Sequence, residues 1–209
     1  MRTRIKCCGI TRAEDAQRAA ELGADAIGFV FTRRSKRFIE PAAAARIRAM
    51  VPPFVSVVAL MMDDDEAWVR EVIEVVKPDM LQFHGEETDE ACAAFGLRYL
   101  KAIAMGEGEP ALARLHQYPG ASGLLLDGHG LGQMGGSGHR FDWSLMPAGL
   151  TQPLLLAGGL TEHNVAEAIA IARPYAVDVS SGIETSPGIK DEAKMERFIS
   201  AVHQASAHR

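Results

Sequence analysis

PLLLAGGLTEHNVAEAIAIARPYAVDVSSGI, residues 153–183, holds two apolar runs, Pro153 to Ala157 and Ala176 to Val179, on either side of a helical stretch. Each run stops at small or polar residues: Gly158 and Gly159 after the first, Ser180, Ser181 and Gly182 after the second. An apolar run, a flexible or polar stop and an amphipathic stretch together form the repeating unit of a parallel sheet. The continuous run Leu154–Leu156 suits a strand buried on both faces.

Working outward, the same unit recurs along the chain. Further apolar runs lie at Arg4–Ile10, Asp25–Phe31, Phe54–Met61, Met80–Phe83, Tyr99–Ala104 and Gly123–Leu126. Thr11 with Glu14 reads as a capping box opening a helix with a small apolar face at Ala16, Ala19 and Ala20, which Gly23 closes. Pro41 sits where a first helical turn begins. Asp63 with Glu66 repeats the capping signal, and Pro78 stops the helix that follows. A last helix covers about Asp191 to His203. Eight strand-like runs in 209 residues leave about 26 residues per unit, which favours a single-domain α/β chain, a closed (β/α)8 TIM barrel over residues 1–209. A doubly wound open sheet is the alternative.

Composition excludes several classes. The chain is 47% apolar with a net charge of −5, and Lys plus Arg is 22 against 27 acids, so no basic field draws it to nucleic acid or anionic lipid. The longest purely apolar run, Val57 to Met62, is too short to span a bilayer, and the N-terminus lacks a signal-peptide pattern. Three cysteines, without CxxC spacing, make neither a disulfide framework nor a zinc site. A cytoplasmic protein with no partner beyond a small molecule is expected. It is taken as a monomer by default, with a homodimer possible.

A barrel of this type carries its site where the strands stop, at their carboxyl ends. The glycines at 158 and 159 and the 180–182 turn are either tight turns or a phosphate cradle built from backbone N–H groups. Finding both on the last two strands favours phosphate. There is no GxGxxG after a strand and no Walker A sequence. Strand parity turns Lys6 and Cys8 toward the barrel interior, and Ile5 and Cys7 toward the helices. Cys8 is then either a small buried filler or, near a Lys and a phosphate site, a partly ionised base. An inward Lys6 needs a partner, and Asp178 on the neighbouring strand supplies one. Asp127, closing Leu124–Leu126, is either a cap or a catalytic acid whose pKa burial would raise. His84 is either a satisfied structural histidine or a substrate contact. His129 reads as solvated, Met61 and Met62 as packing. The glycine-rich stretch after Asp127, residues 128–140, reads as a mobile lid.

The stretch KCCGIT at Lys6–Thr11 resembles the KICGIT signature of the phosphoribosylanthranilate isomerase family. The likeness continues through GADAIGFVF (23–31), SKRFI (35–39), LQFHGEE (81–87), LLLD (124–127), GGSGHRFDW (135–143), LAGGL (156–160) and VDVSSGIETSPGIKD (177–191). The resemblance implies an Amadori rearrangement in tryptophan biosynthesis: N-(5-phosphoribosyl)anthranilate becomes 1-(2-carboxyphenylamino)-1-deoxyribulose 5-phosphate, with no cofactor and no metal. It places Cys8 on the family's general base, Asp127 on its general acid and Arg37 on the residue facing the anthranilate carboxylate. It places Gly158, Gly159, Ser180, Ser181 and Gly182 on the phosphate loops. His84 and Asp178 complete the expected substrate-binding set. The sequence departs from the family's pattern at Cys7 and at Ala59–Met62. Other sugar-phosphate barrel enzymes would need a different residue set at the first and sixth strands. A silent phosphosugar-binding protein would lack the acid or the base.

Overall fold

A computed structural model describes residues 2–106, 108–129, 141–147 and 149–207. Eight parallel strands close a barrel in sequence order: β1 (Arg4–Cys8), β2 (Ala26–Val30), β3 (Ser56–Met61), β4 (Met80–Phe83), β5 (Tyr99–Ala104), β6 (Gly123–Asp127), β7 (Leu154–Leu156) and β8 (Ala176–Val179). Around them lie α1 (Ala13–Glu21), α2 (Pro41–Arg48), α3 (Glu66–Val76), α4 (Asp89–Ala93), α5 (Val165–Ala172) and α6 (Glu192–Ala207). Closure comes from β1 against β8, with Lys6 beside Asp178 in the register.

Strand period divides the side chains into two layers. Ile5, Cys7, Ile27, Phe29, Leu124, Leu126 and Val177 point outward and join one core with the inner faces of the helices. Leu100, Ala102, Leu125, Leu155 and Ala157 fill the barrel itself. Cys7 is fully buried in the outer layer, where burial pushes its thiol up to about 12, so it is inert.

Three local expectations are corrected. Thr11 does not cap α1: the helix starts one residue after Arg12, and the Thr11 hydroxyl instead donates to the Gly188 carbonyl at 2.5 Å. Asp63 does not cap α3; Asp65 does, accepting from the Trp68 N–H at 2.9 Å. Asp63 instead accepts the Glu86 N–H. The connection after β5 contains only a 3-10 turn, Glu109–Gln117, among the described residues, where the repeating unit calls for a helix; after β6, where no helix pattern is read, the described residues carry a 3-10 turn at Trp143–Leu145. After β8 the chain makes a small hairpin, β9 (Glu184–Ser186) and β10 (Ile189–Lys190), before α6. Most of the segment read as a lid, residues 130–140, lies outside the described residues. Among the described residues no helix is long and apolar enough to cross a membrane.

Candidate active site

One cleft at the carboxyl ends of the strands is lined by Cys8, Arg37, His84, Asp127, Gly158, Gly159, Asp178, Ser180 and Ser181. Of the expected site residues only Gly182 stays outside this lining. A Cβ there would run into the Leu160 carbonyl oxygen, so Gly182 lets the β8 turn pack directly on the β7 turn. Gly158 and Gly159 both have positive φ, 85° and 63°, which aims the β7 turn's backbone into the cleft. Asn164 fixes that turn, donating to the Gly159 carbonyl and accepting from the Thr161 N–H, both at 2.9 Å. The buried Ser180 hydroxyl oxygen has no hydrogen-bond partner among the described residues, as expected of a group that waits for a ligand.

The parity argument for β1 holds. Lys6 turns inward, and its ammonium lies 3.0 Å from each Asp178 oxygen, with both side chains buried. Burial opposes the ammonium, but Asp178 and the Cys8 thiol outweigh it and keep Lys6 charged. Cys8 sits above this pair beside Gly28, where a Cβ would come within 2.8 Å of the Cys8 sulfur. A glycine on β2 is therefore what gives the thiol its room. Burial raises the Cys8 pKa above its ordinary value despite Lys6 nearby, so the expectation of a partly ionised thiol in the free site is corrected. Asp178 already neutralises the ammonium that would have favoured a thiolate.

Asp127 also departs from expectation. Burial alone would raise its pKa, but hydrogen bonding to His129 and the charge of that ring outweigh burial and hold it below the usual carboxylate range. His129, expected to be solvated, is buried. Its backbone N–H donates to Asp127 Oδ1 at 3.2 Å, and its ring Nδ1 lies 3.2 Å from the same oxygen, off the line of a full hydrogen bond. His129 stacks on His84 with ring centroids 5.7 Å apart. His84 Nε2 meets the Gln82 amide at 2.5 Å, and burial drives its pKa down to about 3, so His84 is a neutral wall residue. His84, Asp127 and His129 could each offer one donor atom within 4.8 Å of the others. Asp127 takes its contacts from His129, while the His129 ring Nδ1 has no full hydrogen-bond partner among the described residues.

Arg37 reaches the cleft from the loop after β2, but it is not free. Its Nε and Nη2 grip Glu184 at 2.9 and 2.8 Å, and Lys190 holds the same carboxylate at 2.8 Å. Lys190 also donates to the carbonyls of Cys8 (2.5 Å) and Ser180 (3.3 Å). Val30, Leu60 and Met62 form an apolar wall beside Arg37, so Met62 lines the cleft instead of merely packing. Glu184, Lys190, His129, Asn164 and Met62 are the site residues the sequence reading missed. The stretch 177–191 contains two of them, but only the β9–β10 hairpin, too short to show a period, brings both against β1.

Fold and site define a (β/α)8-barrel enzyme whose polar cleft lies at the carboxyl ends of its strands, with a backbone cradle on β7 and β8 and a thiol–carboxyl pair on β1 and β6. The family model described as N-(5'phosphoribosyl)anthranilate (PRA) isomerase matches residues 5–201. An N-(5'-phosphoribosyl)anthranilate isomerase of Xanthomonas campestris pv. campestris is 51% identical over 99% of this chain and 96% of its own. One from Pseudomonas paraeruginosa is 52% identical over 95% of this chain and 94% of its own. The phosphoribosyl anthranilate isomerase of Thermotoga maritima superposes with a TM-score of 0.89 at 40% identity, covering 97% of this chain and 99% of that one. A phosphoribosyl anthranilate isomerase crystallised with reduced 1-(o-carboxyphenylamino)-1-deoxyribulose 5-phosphate superposes with a TM-score of 0.85 at 38% identity, covering 97% and 99%. The chain belongs to the N-(5'-phosphoribosyl)anthranilate isomerase family and is an isomerase of tryptophan biosynthesis.

Proposed function

We propose that this chain converts N-(5-phosphoribosyl)anthranilate to the corresponding deoxyribulose phosphate in the cytoplasm, as a monomer, with Asp127 as general acid and Cys8 as general base. The observation that carries this reading is the placing of Cys8 and Asp127 on β1 and β6 around one cleft that also contains the β7–β8 cradle. The phosphate sits on backbone N–H groups of Gly159 and Ser181 with the unpartnered Ser180 hydroxyl beside them. Arg37 faces the aromatic carboxylate, and Val30, Leu60 and Met62 cover the ring.

Asp127 protonates the furanose ring oxygen, the C1′–O bond breaks, and the anthranilate nitrogen becomes the iminium. Cys8 then removes the C2′ proton, and the electron pair moves into the iminium to give the enolamine, which tautomerises to the ketone. In the free site the protons rest on the opposite groups: the thiol is held protonated and the carboxyl is held ionised. The site thus carries the right number of protons for the first step, and one must pass from Cys8 to Asp127.

The test is loss of anthranilate-riboside fluorescence on adding the pure protein, with the product identified by its ketose carbonyl at unchanged mass. No turnover by a folded protein would overturn the reading, and light scattering decides the monomer.

A further inference from the structure

The cation expected to meet the substrate's carboxylate is bound on one edge by a carboxylate of its own. Glu184 grips Arg37 through Nε and Nη2, and both side chains are largely buried. An arginine neutralised in this way would have little net attraction left for a second carboxylate. Lys190 changes that balance. Its fully buried ammonium lies 2.8 Å from Glu184 Oε1, so two cations share one anion and one positive charge is left over. The neighbouring charges change this count little. Arg12 pairs with Asp15 at 2.6 Å and reaches Glu14, which is exposed and screened by solvent, at 3.5 Å; Arg12 and Asp15 hold only the Lys190 backbone, and Lys6 pairs with Asp178 at 3.0 Å. The Gly188 N–H also donates to Glu184 Oε1, and the Lys194 ammonium takes only the Glu184 backbone carbonyl.

We infer that Lys190 is a specificity-determining positioning residue: by holding Glu184 from behind, it leaves the Arg37 guanidinium with a spare positive charge and a fixed orientation for a carboxylated aromatic amine. The inference rests on the reading of Arg37 as the carboxylate contact. Glu184 sets the direction of the fork, because a carboxylate across Nε and Nη2 leaves the Nη1–Nη2 edge for a ligand. Lys190 ties this recognition to the rest of the cleft, since the same ammonium holds the carbonyls of Cys8 on β1 and Ser180 after β8. Carboxylate recognition, the base's strand and the phosphate turn therefore share one buried cation.

The charge count predicts a rescue that a merely structural lysine would not show. Lys190→Met leaves Arg37 fully neutralised by Glu184. Glu184→Gln added to it removes the anion and restores a single positive charge. Binding is measured by calorimetry, which separates the effect from any on turnover. The probes are reduced 1-(o-carboxyphenylamino)-1-deoxyribulose 5-phosphate and the same compound without its carboxyl group. Lys190→Met is expected to weaken the carboxylated probe at least about tenfold and the other less than about threefold. The double variant is expected to recover most of that loss. A double variant no tighter than Lys190→Met, or equal losses for both probes, overturns the inference.

Should Lys190→Met fail to fold, Glu184→Gln alone decides. It raises the local charge, so the carboxylated probe is expected to bind at least as tightly as to the unaltered protein and with steeper salt dependence. Weaker binding selective for that probe overturns the inference. Arg37→Ala separates the underlying reading: if it weakens both probes equally, the carboxylate assignment of Arg37 itself falls. If Arg37→Ala is selective but neither the rescue nor the Glu184→Gln gain occurs, the role of Lys190 alone falls.

Discussion

The two sides of the barrel mouth are built differently. On the β8–β1–β2 side, charge is locked in place: Lys6 on Asp178, Arg37 and Lys190 on Glu184, Arg12 on Asp15. On the β5–β6 side the connections carry 3-10 turns, and Asp127 takes its hydrogen bond from His129 among the described residues. In the proposed reaction the first side holds the anions and the base, and the second presents the acid, whose proton must come and go, so that binding and proton donation are divided between the two ends of the same cleft.

The largest expected effect breaks the locked side. Lys6→Met leaves the Asp178 carboxylate buried and unpaired, which should cost about 3–5 kcal/mol in urea unfolding. Adding Asp178→Leu should return most of it, because it removes the orphaned charge. A loss below about 1 kcal/mol for the single variant would show that the pair is not holding β1 to β8.

Next comes the chemistry, where both sides contribute. Asp127→Asn and Cys8→Ser should each lower kcat by at least about 10²-fold, or about 2.7 kcal/mol, with KM much less affected. Cys7→Ser should be nearly silent, since Cys7 packs against the helices. An active Cys8→Ser with a dead Cys7→Ser would reverse the division of roles.

A smaller change sharpens the comparison at the phosphate end. Asn164→Ala frees the Gly159 carbonyl and the Thr161 N–H, and should raise KM up to about tenfold, worth up to about 1.4 kcal/mol, with kcat held. If kcat falls instead and KM stays, Asn164 serves the acid side.

The smallest effect is a displaced pH profile. Turnover needs one proton on the Cys8–Asp127 pair. It should therefore fail as pH drops through the lowered pKa of Asp127 and again as pH rises through the raised pKa of Cys8. His129→Gln removes the ring that holds Asp127 down, so the acid limb of kcat/KM should move to higher pH while the alkaline limb stays. An unmoved acid limb would mean that His129 does not control the carboxyl.

The alternation of apolar runs made the barrel legible, because a strand buried on both faces leaves its mark in sequence whatever surrounds it. β4, β5 and β8 fall on the bounds read from their apolar runs. The parity of Lys6 and Cys8 was legible for the same reason. Thr11 was misread because a cap is a weak local preference, and the Gly188 carbonyl, distant in sequence, takes its hydroxyl. The protonation states were misread for a related reason. Burial could be foreseen from the apolar flanks of Cys8 and Asp127, and the Lys6–Asp178 pair from strand parity, but not the His129 ring beside the acid or how far a neutralised Lys6 loses its hold on the thiol. The Glu184–Lys190 contact with Arg37 depends on a hairpin of a few residues, which has no period to read.

The ion pair between Lys6 and Asp178 joins positions 172 residues apart. During synthesis the lysine of β1 is therefore made 172 residues before its partner. Until then that ammonium has no place in an apolar interior and must stay in water, so β1 cannot settle and the barrel cannot close. Loop closure over such a span is slow compared with pairing of adjacent strands. The thiol beside Lys6 therefore joins the cleft only once β8 has paired with β1, and a chain cut before β8 would carry Cys8 without the Lys6–Asp178 pair beneath it.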